Sequence, residues 1–173
     1  TTLTNTNARY MSIIGAGIGV TIITDAIPAA GSGRLIDWVS VDGGLTRITG
    51  FTFQGGTVVD SDQQGMVVVT GNSSQVRFDN NRVDDTRRQP FKINGYVRGV
   101  ADHNTFNRDE QVGTNNGPTV DHNTWGNSGS FGDNSWATAE TFGGAEAFYF
   151  EDNRWTSTSA YDFGLDSQSG GRF

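Results

Sequence analysis

The sequence predicts an all-β solenoid of short strands stacked in repeats, and three observations carry that prediction. Asparagine recurs along the chain with apolar residues at fixed offsets on either side. No window of about 11 residues holds a sustained 3.6-residue apolar period, so helix is expected to be scarce. The chain carries 24 Gly and only 3 Pro, and Asn, Asp, Ser and Thr crowd between short apolar runs, which reads as strands joined by many turns. At 173 residues it suits one domain, and 34% apolar residues is on the low side for a single compact core.

The repeat is seen when the segments are aligned on asparagine. Asn81 lies in VRFDNNRV, Asn104 in VADHNTF, Asn123 in TVDHNTW and Asn153 in FYFEDNRW. Three positions earlier stand Phe78, Ala101, Val120 and Phe150; two positions later stand Val83, Phe106, Trp125 and Trp155. RITGFTF at 47–53 fits the apolar columns with Ile48 and Phe53, but Phe51 replaces the asparagine. The steps between asparagines are 23, 19 and 30 residues, a period with variable insertions that indicates a solenoid. One such unit cannot bury its apolar face alone, whereas stacked units build a continuous core. Stacked strands lie ~4.7–4.9 Å apart, so an inward Asn at a bend can bond the Asn above and below. Asn104 and Asn123 are therefore expected on neighbouring repeats, with Phe106 near Trp125.

The doubled Asp-His-Asn-Thr also admits a chemical reading. Asp79, Asp102, Asp121 and Glu151 stand two residues before the asparagines, and strand alternation sends that column outward. Stacked carboxylates repel unless cations sit between them; Arg82 and Arg154 are near enough in sequence to help. His103 and His122 could add imidazole ligands for a metal, but the spacing is not that of a zinc motif. The bend reading is preferred, and no metal site is assigned.

Charge limits the partners. A net charge of -7 with only 12 Lys and Arg disfavours nucleic acid, whose backbone needs clustered cations. Anionic polysaccharides meet the same objection unless calcium bridges them, so no cofactor is expected and calcium alone is left open. Neutral polymers meet no such objection. No apolar run approaches the ~18 residues needed to cross a bilayer, so no membrane partner is expected. Cysteine is absent, which does not exclude secretion. The start at TTLTNTNARY and the stop at GGRF suggest a piece excised from a longer coil stack.

The segments GVADHNTF (99–106), GDNSW (132–136), EAFYFEDNRW (146–155) and DSQSGGRF (166–173) resemble the right-handed parallel β-helix repeat proteins of the pectate-lyase-like superfamily. The resemblance spans roughly 45–173 and is looser over the N-terminal third. It implies a single-stranded right-handed parallel β-helix of about six or seven coils over residues 1–173, at ~20–30 residues per coil. Each coil in that fold has three strands, with the Asn bend joining the second to the third. First strands would be 66–71, 91–96, 110–114, 137–142 and 161–166, preceded by loops at 54–65, 84–90, 107–109, 126–136 and 156–160. In β-helix enzymes and binders that strand face and its loops form the ligand groove.

Three sets of residues compete for function. DDTRRQPFKINGY (84–96) is the most cationic segment. Pectate lyases use an arginine base with Asp-bound calcium, and their RxPxxR motif is echoed by Arg88, Gln89 and Pro90. Ile93 replaces its last arginine, and TVDH echoes their vWiDH element without the Trp. A glycosidase needs two carboxyl groups ~5–5.5 or ~6.5–9.5 Å apart; Glu140 and Asp162, with Asp166 beyond, would be the pair, without a polygalacturonase signature. The aromatics form the third set. Trp125 and Trp155 fall in the apolar column and read as core, whereas Trp136 sits in the Gly-, Asn- and Ser-rich GNSGSFGDNSW, where it either plugs a core edge or offers a sugar platform.

The reading favoured is a non-catalytic carbohydrate-binding module for a neutral or weakly charged plant polysaccharide such as xylan. It would be attached to the catalytic domain of a secreted bacterial enzyme. Its ligand would stack on Trp136, with Tyr161 or Tyr96 as a second platform. Arg88, Lys92, Asn94, Glu140 and Asp162 would hydrogen-bond its hydroxyls. The alternatives are a catalytic β-helix domain, either lyase or hydrolase, and a structural segment of a phage or surface adhesin. A trimeric fibre should carry apolar residues on outward columns, and the sequence does not show them clearly.

Overall fold

In a computed structural model the described residues are mostly β, and every strand among them pairs parallel. The structure describes residues 3–5, 9–26, 34–55, 66–84, 91–108, 119–121, 148–157, 166–167 and 171–172. Their strands fall into three columns. The first holds β1 (Leu3–Asn5), β4 (Ile36–Val41), the opening half of β7 (Val67–Asp79), the opening half of β9 (Phe91–Asp102), β11 (Thr119–Asp121) and β14 (Asp166–Ser167). The second holds β2 (Ser12–Ile14), β5 (Thr46–Thr49), the closing halves of β7 and β9, β12 (Phe148–Glu151) and β15 (Gly171–Arg172). Because β7 and β9 run through both columns, these strands make one ten-stranded sheet. The third column is a five-stranded sheet of β3 (Thr21–Thr24), β6 (Phe51–Gln54), β8 (Arg82–Asp84), β10 (Thr105–Arg108) and β13 (Arg154–Ser157).

Register explains the core. A period of two sends alternate side chains inward, and in-register pairing lines them up. Ile36, Val67 and Phe91 are neighbours, as are Trp38, Val69 and Ile93; all six are buried. In the second column Ile48, Phe78, Ala101 and Phe150 succeed one another, and in the third Phe53, Val83, Phe106 and Trp155. The rings stack through the centre: Phe78 on Phe91 at 4.4 Å and Phe106 on Trp155 at 4.6 Å. Each fully buried aromatic contributes about 1.5–3 kcal/mol of burial, and each ring pair about 0.5–1.5 more.

The two long strands turn a corner with glycine and a bulge. Register slips by one residue between Ser73 and Val76 of β7, which bends the strand. Gly99 lies opposite Val76 with φ +151, and a Cβ there would collide with the Val76 carbonyl. Only glycine fits that approach.

One expectation is corrected by this register. The second DHNT copy does not succeed the first. Strand 119–121 pairs with Lys92, Ile93 and Asn94 in the first column, and residues 148–151 lie beside Gly99–Asp102 instead. Phe106 stacks on Trp155, and Val120 neighbours Ile93, not Ala101; Trp125, expected beside Phe106, lies outside the described residues. Asp121 pairs with Asn94 and leaves the carboxylate column. The place expected for 110–114 as a first strand is taken by 119–121. The expected strands 66–71 and 91–96 fall within Met66 plus β7 and within β9, whereas 110–114, 137–142 and all but the last residue of 161–166 lie outside the described residues.

Candidate functional site

From the second layer on, the bend after the second column repeats one backbone geometry. The residue before the asparagine column takes a left-handed conformation: Gly50 (φ 80), Asn80 (φ 51), His103 (φ 56) and Asp152 (φ 51). Glycine adopts this freely, and Asn, Asp and His tolerate it better than other residues. His103 is thus a bend residue, more than half exposed and 2.8 Å from Asp102 through Nδ1. The next residue, asparagine, turns inward and serves the preceding bend. Asn81 Oδ1 accepts from Phe51 N (3.1 Å), Asn104 Oδ1 from Asn81 N (3.0 Å), and Asn153 Oδ1 from Asn104 N (3.0 Å). Their amide nitrogens donate to Ile48 O (2.9 Å), Phe78 O (2.8 Å) and Ala101 O (2.7 Å). Each side chain therefore satisfies one donor and one acceptor of its bend, buried for Asn81 and Asn104 and part-buried for Asn153. Phe51 accordingly keeps the asparagine position while its backbone N–H is still served.

Two residues before the asparagine lies the carboxylate column, Thr49, Asp79, Asp102 and Glu151 in register. The expectation that it faces solvent is corrected for its middle members: Asp79 and Asp102 are buried. The cations that cover them are not Arg82 and Arg154. Arg47 grips Asp79 with two bonds of 2.7 and 2.5 Å, and Arg77 grips Asp102 at 2.9 and 2.6 Å. Each arginine stands two residues ahead of the carboxylate column on its own strand, so it reaches diagonally to the next layer. Arg82 instead pairs with Asp84 at 2.7 Å. Val100 takes the arginine position beside Glu151, which is exposed. Sequence reasoning missed Arg47 and Arg77, although RIT at 47–49 and RFD at 77–79 repeat the spacing that would have shown them.

Burial pushes the Asp79 carboxyl up, but hydrogen bonds from Arg47 and Asn80 and the charges of Arg47 and Arg77 outweigh it, and Asp79 lies below the ordinary aspartate range. Asp102 behaves alike: burial raises it, and Arg77 and His103 more than reverse that. Both stay ionised at neutral pH and are already committed to arginine. This column is a structural brace. Among the described residues no three His, Asp or Glu side chains converge to hold a metal ion.

The remaining candidate surface is the outer side of the first column. Lys92 is half-buried on β9 between the buried Phe91 and Ile93, next to Val68 and Thr119 in register. Asn94 stands beside Thr70 and Asp121, and Tyr96 beside Asn72. The structure thus brings three of the sequence-predicted ligand residues onto one strand. Trp136, Tyr161, Arg88, Glu140 and Asp162 lie outside the described residues. Asp37, paired with Arg34 at 2.8 Å, occupies the Lys92 position two strands earlier. No helix among the described residues is long and apolar enough to cross a membrane. Comparison with protein-family models, curated proteins and solved structures finds no match.

Proposed function

We propose that the three parallel columns wind as one right-handed parallel β-helix, and that it acts as a non-catalytic carbohydrate-binding module. The ligand would be a neutral or weakly charged plant polysaccharide such as xylan, and the module would serve an attached catalytic domain in a secreted bacterial enzyme. The observation that carries the reading is the pair of in-register polar neighbours Thr70–Asn94 and Asn72–Tyr96 on the first column, beside the half-buried Asp37 and Lys92, between which Val68 is buried. A linear polymer laid across these strands meets a comparable position every ~4.7–4.9 Å, close to the length of one sugar ring. Charge supports a neutral ligand: Arg34, Arg47, Arg77 and Arg82 are each tied to an aspartate of the protein, which leaves less cationic surface for a polyanion.

Trp136 is the proposed stacking platform, seconded by Tyr161 or Tyr96. The test is a binding and product screen on a polysaccharide panel, with and without calcium. Binding without product supports the module; unsaturated or new reducing-end product would replace it with a lyase or hydrolase. Trp136→Ala should weaken xylan binding about ten- to a hundredfold, the loss of roughly 1–3 kcal/mol of stacking burial. His103→Asn should leave binding unchanged, since that residue shapes a bend. Unaltered xylan binding by Trp136→Ala would remove the proposed platform. An adhesin reading gains one observation, the apolar residues Ile14 and Ile22 on outward positions of the first layer.

A further inference from the structure

The arginine brace on the outer face of the second column is broken at one place. Arg47 and Arg77 stand in register on β5 and β7, and each grips the carboxylate of the next layer, Asp79 or Asp102. In the layer that follows, Val100 takes the arginine position and Glu151 the carboxylate position. Glu151 is exposed and lacks the grip that Asp79 and Asp102 receive. Beside Val100 comes Tyr149, half-buried on β12 between the buried Phe148 and Phe150. Alternation therefore turns its ring to the outer face, on the same side as Glu151. β12 pairs with β9 on one side and with β15 on the other, so Tyr149 lies within the stack. A break in a scaffold's own rule, which one substitution would repair, is expected where a site is served at the expense of stability.

We propose that this face is a sugar subsite, in which one neutral pyranose ring packs on Tyr149 and Val100 while Glu151 and Arg77 bond its hydroxyls. The subsite presupposes the carbohydrate-binding reading and adds a second place of contact to it, across the Gly99 corner from Asn94 and Tyr96. Tyr149 and Val100 are in-register neighbours, ~4.7–4.9 Å apart. Together they offer an apolar patch that suits the C–H face of a ring. Glu151 stands two residues further along β12, ~7 Å away at the rim of that patch. An ionised carboxylate only accepts, and adjacent sugar hydroxyls supply two donors to it. Arg77, in register with Val100, holds Asp102 through Nε and Nη2, which leaves Nη1 to donate. Charge selects among ligands. Glu151 repels an anionic sugar and Arg77 repels a cation. A wholly apolar ligand would bury Glu151 unpaired. A neutral ring bearing hydroxyls meets none of these objections.

The experiment is an amide NMR titration of the whole 173-residue chain with xylohexaose, read at the signals of residues 100, 149 and 151. These signals should shift and saturate. Tyr149→Ala should weaken that response about tenfold, through loss of the ring. Val100→Arg should abolish it without lowering the melting temperature, because the added guanidinium covers the patch and grips Glu151. That variant carries the test should Tyr149→Ala not fold. An oligogalacturonate of the same length should leave the three signals unmoved, and a response to it equal to that of xylohexaose overturns the neutral subsite. Xylohexaose binding that leaves these signals unmoved also overturns it, while the module reading stands. So does a response that Val100→Arg keeps unchanged. Absence of binding anywhere on the chain removes the module reading, and the subsite with it.

Discussion

The middle layers and the first layer solve the same bend with different chemistry. In the middle, Asn104 reaches into the core, where Asn81 N donates to it and it donates to Phe78 O, shielded from water. In the first layer, Thr21 Oγ1 accepts from Ala16 N at 2.8 Å at an exposed site, and Gly15 N bonds to Thr49 O. The outward columns differ likewise: paired Arg and Asp in the middle, isoleucine at the end. An inner bend has no water to fall back on, so its side chain must supply both donor and acceptor. An end bend has water on one side and needs less.

That difference sets the size of the expected effects. Asn104→Ala removes the partner of Asn81 N and of Phe78 O together. With about 1–3 kcal/mol for each buried group left unmade, urea denaturation should show a loss of about 3 kcal/mol. A loss under about 1 kcal/mol would mean that water replaces the amide, and the contrast between the layers would dissolve.

Arg77→Met comes next. Among the described residues it leaves the buried Asp102 with the hydrogen bond to His103 and the more distant charge of Arg47, and a cost of about 2 kcal/mol is expected. The figure lies below that of a fully buried ion pair because Arg77 is partly exposed. The same pair sets the sign of the pH dependence. Asp79 and Asp102 titrate lower in the folded than in the unfolded chain. Their contribution is full above the unfolded aspartate value of about 3.9 and is lost as pH falls through their folded values. Thermal melts should therefore fall below about pH 4, and the fall should be shallower in Arg77→Met. An identical acid dependence in the variant would show that other carboxyls control it. Thr21→Val should cost least, within about 0.5 kcal/mol, because water can cap Ala16 N. A cost near that of Asn104→Ala would show the first layer to be as closed as the middle.

Much of the site's construction is legible in local sequence. The apolar residues three before and two after each asparagine define inward faces because side chains alternate along a strand. His103 could be read as a bend residue because few side chains accept the left-handed conformation beside an inward asparagine. These are properties of five or six consecutive residues.

The order of segments in the stack is not local, and only the tertiary structure decided it. TVDHNTW and FYFEDNRW satisfy the same pattern, so spacing alone ranks Asn123 as the successor of Asn104. The successor is Asn153, because 119–121 pairs with the opening half of β9 and 148–151 with its closing half. The burial of Asp79 and Asp102 is decided in the same way: alternation turns them outward, and arginines from the preceding layer then fold over them. A strand's own residues fix which way its side chains point. Which strand lies alongside, and hence which charges meet, depends on hydrogen bonds between segments dozens of residues apart, whose partners no short motif can name.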